Sequence, residues 1–128
     1  MRYYFSKIIE SDFDEAVARV TAELKKEGFG ILTEIDVQQK MKEKTGVDFR
    51  KYKILGACNP PFALKALQVE DKIGTMLPCN VIVQDQDNGR VEVAAINPIA
   101  SMLAIDNPAL HDIAEQVTDM LKRVIEHL

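Results

Sequence analysis

The spacing of apolar residues divides the N-terminal part of the chain into a strand and an amphipathic helix. The aromatic and β-branched run Arg2–Ile9 predicts the strand. Ser11 or Asp12 can cap the start of the helix, with Glu15 three residues after Asp12, and Gly28 marks its end. The apolar helix positions recur at three- and four-residue steps: Phe13, Ala16, Val17, Val20 and Leu24. One face of this helix is therefore predicted to lie in the core.

The middle of the chain alternates between strands and short helices. Residues 29–36 predict a second strand, and residues 37 to about 44 a short helix. A third strand is expected at about 52–57. Asn59 is then expected to cap a second short helix that has Pro60 at its first position.

A hairpin and a long helix complete the predicted order. Asn88-Gly89 lies between two β-branched runs and predicts a tight two-residue turn. Asn107 and Pro108 mark the start of the helix. Its apolar stripe contains Leu110, Ile113, Ala114, Val117, Leu121, Val124 and Leu128.

This order predicts an α+β fold in a single domain over residues 1–128. We expect an antiparallel sheet with the two long helices on one face and short helical insertions between strands. The positions expected to face the helices are Val81, Val83, Val91, Val93 and Ala95. The opposite face also carries apolar residues, namely Ile82, Ala94 and Ile96. Since an apolar sheet face needs a cover, the sequence predicts a homodimer.

Charge and the absence of long apolar runs exclude some classes of partner. Sixteen basic and twenty acidic residues give a net charge of −4, which argues against a nucleic-acid-binding protein. No run approaches the roughly 18 apolar residues of a membrane span. The N-terminal residues also lack a signal-peptide pattern. We therefore expect a cytoplasmic protein with reduced thiols and neither a nucleic-acid nor a membrane partner.

The only two cysteines, Cys58 and Cys79, have matching settings, since each precedes an asparagine and lies near a proline. If the strands at Ala57 and Val81 pair, the two Cys-Asn dipeptides lie at one end of the sheet. There the thiols could form a transient disulfide or bind a soft metal. Cys58 precedes a helix start, where the helix dipole favours a thiolate, so we expect it to be the more reactive thiol. The alternative is that both cysteines are small packed residues.

The sequence shows no complete metal or catalytic site. Zinc takes four nitrogen or sulfur ligands, and only His111 and His127 accompany the two cysteines. Cu(I) could recruit Met76 or Met102, although methionines more often fill cores. No Gly-rich phosphate loop and no nucleophile–base spacing is present. We therefore assign no metal, cofactor or catalytic residue, and favour a protein that is not an enzyme.

The segments "ACNPPFALKAL" and "IGTMLPCNVIV" resemble the signature of the bacterial and archaeal family named domain of unknown function 302. The matches are Cys58-Asn59-Pro60 and Leu77-Pro78-Cys79-Asn80, with a weaker one at Asn97-Pro98 and Met102. The resemblance extends over essentially the whole chain. It implies an α+β fold similar to the TATA-binding protein, in the order strand, helix, four strands, helix, and a homodimer. It implies no established activity, although some members occur beside sulfur-metabolism proteins.

These observations give three functional hypotheses, the third and lowest-ranked being an enzyme, for which the sequence supplies no general base. In the first, the protein binds a small molecule or handles thiols or sulfur compounds at a Cys-Asn rim. We define this rim as Cys58, Asn59, Pro60, Cys79 and Asn80, and add Met102 as a further ligand-binding or redox candidate. In the second, the protein is a structural or protein-interaction domain, and the motif only fixes a strand-to-helix corner.

Overall fold

The computed structural model describes residues 1–128. Its strands are β1 (Tyr4–Glu10), β2 (Gly30–Asp36), β3 (Tyr52–Cys58), β4 (Cys79–Asp85) and β5 (Arg90–Ile96). Its helices are α1 (Phe13–Lys26), α2 (Val37–Thr45), α3 (Pro60–Val69), α4 (Pro98–Ser101) and α5 (Pro108–Glu126), with a 3-10 helix at Asp71–Met76. The predicted α+β class is confirmed.

All five strands form one antiparallel sheet in the order β1-β5-β4-β3-β2. The long helices α1 and α5 both contact this sheet. The short helices α2 and α3 are insertions between consecutive strands. Strand, helix, four strands and helix therefore follow one another as expected, and β3 lies directly beside β4.

The buried face of the sheet and the helix stripes form the main core. The five strand positions predicted to face the helices are at most 1% exposed. Ala16, Val20 and Leu24 of α1 and Leu121 of α5 are fully buried against them. At the start of α1, the Asp12 carboxylate accepts a hydrogen bond from the Glu15 amide at 2.7 Å, as the capping pattern predicts. Local sequence and core packing therefore agree along α1.

The hairpin is present, but its predicted two-residue turn is wrong. β4 ends at Asp85 and β5 begins at Arg90, so residues 86–89 form the loop. Asp87, Asn88 and Gly89 all have positive φ angles, of 65°, 55° and 74°. The Gln86 amide donates to the Arg90 carbonyl, and the Arg90 amide donates to the Asp87 carbonyl. Three left-handed residues in succession make this connection longer than the two-residue turn that Asn-Gly favours.

The sheet face opposite the long helices is partly apolar. Ile82, Ala94 and Ile96 are half-buried there, within a depression of about 380 Å³. All three tyrosines of the protein, Tyr3, Tyr4 and Tyr52, also line this depression. The depression therefore combines aromatic and aliphatic side chains with Asn80, Gln84 and Glu92, and none of its lining residues belongs to a helix.

None of the helices combines the length and the hydropathy needed to cross a membrane.

Candidate functional site

The register between β3 and β4 brings the two Cys-Asn dipeptides to the same end of the sheet. Ala57 pairs with Cys79, and Gly56 pairs with Asn80. Cys58 is the last residue of β3, and Cys79 is the first residue of β4. Consecutive strand side chains point to opposite faces. Cys79 therefore shares the face of its partner Ala57, β3 ends at Cys58, and both thiols are free.

An apolar cavity of about 340 Å³ lies at this end of the sheet. Its walls come from the strand ends, α3, the 3-10 helix and the first half of α5. Fourteen of its 18 lining residues are hydrophobic, and none is charged. Both thiols line it, together with Asn59, Met102, Phe62, Leu77, Leu110, Ala114 and Val117. An ion entering this space would lose water without gaining a counter-charge.

The Cys-Asn rim is only partly assembled by the fold. Cys58, Asn59, Cys79 and Met102 line the cavity. Pro60 is exposed and lies outside it, at the first position of α3. Asn80 is exposed and does not line this cavity, but it borders the depression on the opposite sheet face and a further depression that Cys79 and Met102 also line. The apolar cavity thus contains four of the six candidates, Asn80 meets two of these four in the neighbouring depression, and only Pro60 lies apart.

Asn59 has a different contact from the one its sequence predicts. It occupies the N-cap position of α3, but its side chain makes no capping hydrogen bond. Its Nδ2 instead donates to the carbonyl of Glu27, which ends α1, at 3.2 Å, and lies 3.7 Å from Met120 Sδ. Gly28 permits this approach, because a Cβ there would lie 3.0 Å from Nδ2. The asparagine of the first motif therefore joins α3 to the end of α1.

The thiol of Cys79 is held in its neutral form. Burial, and then the proximity of Cys58, raises its pKa from 9.0 to about 11. The start of α3 has few N–H groups that could stabilise a thiolate, because Pro60 and Pro61 lack amide protons. Of the first three residues of α3, only Phe62 has an N–H. Cys79 therefore contributes a polarizable, uncharged side chain to the lining of the cavity at neutral pH.

Two further Asn-Pro pairs repeat the arrangement at Asn59. Asn97 starts α4, and its Nδ2 donates to the carbonyl of Arg2 at 3.1 Å. Asn107 starts α5, and its Nδ2 donates to the carbonyl of Val69 at 2.9 Å. Unlike Asn59, both also accept a capping hydrogen bond on Oδ1. Each Asn-Pro pair thus joins a helix start to a distant segment, and only Asn59 leaves its capping role unfilled.

The histidines considered as metal ligands lie away from the cavity. Neither His111 nor His127 lines it, and His127 is exposed. His111 Nε2 is enclosed without a hydrogen-bond partner. No group of three or more His, Cys, Asp or Glu side chains is placed to hold a metal ion.

Sequence reasoning missed most of the cavity wall. Leu110, Ala114 and Val117 were predicted only as core positions of α5. In the structure, Leu110 and Ala114 pack with Ala66, Ile73 and Met102 in a second, smaller cluster. A signal was present, because the apolar stripe of α5 continues over all 19 residues of that helix. By contrast, a seven-residue strand spans about 23 Å against about 28 Å for this helix, so the helix is longer than the strands that it covers.

Comparison with known proteins agrees with this architecture. The family model described as "Domain of unknown function DUF302" matches residues 5–128. The crystal structure of an uncharacterized conserved protein DUF302 from Bacillus stearothermophilus is similar, with a TM-score of 0.89 and 30% sequence identity over 98% of each chain. A comparison with curated proteins gave no match. The chain therefore belongs to the family of domain of unknown function 302.

Proposed function

We propose that this protein binds a small, uncharged and largely apolar molecule in the apolar cavity. The observation that supports this most directly is the lining, which is mainly hydrophobic and contains no charged side chain. Its volume of about 340 Å³ lies within the range of roughly 300–1,000 Å³ found for small-molecule sites. A mainly apolar lining with a few polar groups is typical of such sites.

The two thiols suit this site to a ligand that contains sulfur. Cys79 is protonated at neutral pH, so it contributes a polarizable contact instead of a nucleophile. Cys58 is the candidate for any thiol chemistry on a sulfur-containing ligand. We propose a cytoplasmic location for this function, where both free thiols stay reduced.

Filling the cavity is expected to weaken ligand binding. Ala114 lies in its wall on α5 and is 3% exposed, so Ala114→Leu places three extra carbons in the space. We expect the neutral fluorophore N-phenyl-1-naphthylamine to bind wild-type protein saturably with one site per chain. Ala114→Leu should weaken this binding about tenfold or more. Fluorescence titration measures both.

The matched control is Ala18→Leu, the same substitution at an exposed position of α1 away from the cavity. It should bind the fluorophore as wild type does. Absence of saturable binding to wild-type protein, or equal binding by the two variants, would reject the ligand-binding proposal.

The second candidate is a structural or protein-interaction domain with no chemical site. The hydrogen bond from Asn59 to Glu27 favours it, because that bond alone explains an asparagine at this corner. The similar links from Asn97 and Asn107 show that Asn-Pro pairs serve as corners elsewhere in the fold. The fluorophore titration separates the two candidates.

We also propose that the chain, as one domain over residues 1–128, functions as a homodimer through the helix-free sheet face. Ile82, Ala94 and Ile96 supply apolar surface there, with tyrosines around it. Pairing two such faces would remove that surface from water. The implied likeness to the TATA-binding protein fold stays a prediction.

A charge on this face is expected to separate the subunits. Analytical ultracentrifugation of wild-type protein should give twice the 14.4 kDa chain mass, and Ile82→Lys should give the chain mass itself. Leu103→Lys, at a position that is 63% exposed and outside the depression, is the control and should remain dimeric. A monomeric wild-type protein at micromolar concentration would disprove the proposed dimer.

A further inference from the structure

We infer that Asn59 Oδ1 accepts a hydrogen bond from the ligand, so that the cavity selects uncharged molecules carrying an N–H or O–H donor on an apolar body. This inference rests on the proposed function, since it names the ligand class for the same cavity.

The orientation of the Asn59 amide follows from its contact with α1. Its neighbour at 3.2 Å is the Glu27 carbonyl oxygen, which only accepts hydrogen bonds, so Nδ2 is the atom that faces it. The other end of the amide is Oδ1, and none of the side-chain hydrogen bonds of Asn59 involves it. The contact to Glu27 thus uses the donor and leaves the acceptor free.

The free acceptor, Asn59 Oδ1, belongs to a buried side chain but is not fully enclosed. Asn59 is 92% buried, and its capping position would normally direct Oδ1 to the amides of α3. Only His111 Nε2 is both fully enclosed and unpartnered, so Asn59 Oδ1 retains some accessible surface. The space that Asn59 lines is the apolar cavity. A donor on a bound molecule would supply the missing hydrogen bond.

The other polar groups at this end of the cavity do not favour a ligand acceptor or an anion. Pro60 and Pro61 remove two amide donors from the helix start. The Ala63 amide is already bonded to the Asn59 carbonyl at 2.9 Å. Asn59 is the only residue lining the cavity that has a side-chain nitrogen or oxygen, and 14 of the 18 lining residues are hydrophobic. A site of this kind discriminates against analogues that lack the matching donor, because the acceptor then stays unpaired.

The test compares two ligands of nearly identical shape, indole and benzofuran, which differ by the ring N–H. Their affinities are measured on wild-type protein by displacement of N-phenyl-1-naphthylamine and by calorimetry. We expect indole to bind roughly tenfold more tightly. Equal affinities, or failure of both to displace the bound fluorophore, would overturn this inference and leave the ligand-binding proposal intact. Absence of fluorophore binding would overturn both.

Asn59→Leu identifies the residue responsible. It should abolish the preference for indole and leave benzofuran affinity within about twofold. Asn97→Leu is the matched control, because Asn97 also starts a helix before proline but lies outside the cavity. It should retain the preference. If Asn59→Leu does not fold, the ¹³C shift of the Asn59 side-chain carbonyl in wild-type protein is measured. It should change with indole and not with benzofuran, and the absence of a difference would contradict the inference.

Discussion

Gly56→Ala is expected to lower the free energy of unfolding by about 1–3 kcal/mol, the usual cost of overpacking a filled position. A Cβ at this position would overlap Thr33 Oγ1 and lie 2.7 Å from Pro78 Cγ. The threonine side chain can rotate, but the proline ring is held by its own backbone. Either β3 or the segment before β4 must therefore shift. The effect is measured by urea unfolding monitored by circular dichroism.

Gly30→Ala supplies a matched control on the neighbouring strand. Gly30 pairs with Cys58, but no atom lies within 4 Å of a Cβ built there. Its substitution should change stability by less than about 0.5 kcal/mol, as for most exposed positions. Thr33→Ala should recover part of the loss in a Gly56→Ala, Thr33→Ala double variant, because it removes one of the two overlaps. Equal stability of the two single alanine variants would contradict the argument.

Gly56 also explains how the two Cys-Asn motifs come together. It lies two residues before Cys58 and pairs with Asn80, which follows Cys79. Its missing side chain leaves room for Pro78 over the sheet. The proline of the second motif can therefore lie beside the first motif. We expect Gly56→Ala to weaken fluorophore binding as well, because the shift would move both thiols.

Local rules predicted the elements well where the deciding contacts are close in sequence. Asp12 caps α1 through an amide only three residues away, so its sequence context contains the whole interaction. Asn59 has the same apparent context, yet its side chain bonds to Glu27, 32 residues earlier. Pro61 removes one of the two amides that a capping side chain can reach, but the Phe62 amide remains, so the local sequence alone does not decide the outcome. The competing acceptor comes within reach only after the end of α1 and the start of α3 have met in the fold.

In the candidate site, too, the features set by nearby residues were predicted, and those set by packing between distant segments were not. That Cys58 and Cys79 lie at one end of the sheet followed from an assumed pairing of β3 with β4, which the register now provides. Asn80 was grouped with them by motif, but it lies outside the apolar cavity and meets Cys79 and Met102 only in a neighbouring depression. The cavity itself depends on how α3, the 3-10 helix and α5 pack, and the 3-10 helix and α4 were not predicted at all.

The stability of the protein is expected to fall by up to about 2.7 kcal/mol between pH 9 and pH 11 because of Cys79. In the folded protein, burial and the neighbouring Cys58 raise the pKa of this thiol from 9.0 to about 11. The unfolded chain therefore releases the proton first as the pH rises. The stabilisation is complete below pH 9 and is lost as the pH approaches 11, since the folded state alone still binds the proton.

Comparison with Cys79→Ala isolates this contribution. Lysines and tyrosines titrate in the same range in both proteins, so the difference between their urea-unfolding curves at each pH reports Cys79. The free energy of unfolding of wild-type protein, relative to that of Cys79→Ala, should fall as the pH rises from 9 to 11. Cys58→Ser is the control and should retain most of the pH dependence, because burial is the larger cause of the raised pKa and the charge of Cys58 the smaller.

Alkylation of the Cys58→Ser variant measures the same pKa directly. Its reaction rate with iodoacetamide should still be rising above pH 9, with a midpoint somewhat below 11 because the repulsion from Cys58 is gone. In urea, the midpoint should return to about 9, the ordinary value. At neutral pH the Cys79→Ser variant, which retains Cys58, should react faster. If the two variants are alkylated at equal rates, or if Cys79 titrates near 9 in the folded protein, then Cys79 does not line the cavity as a neutral thiol.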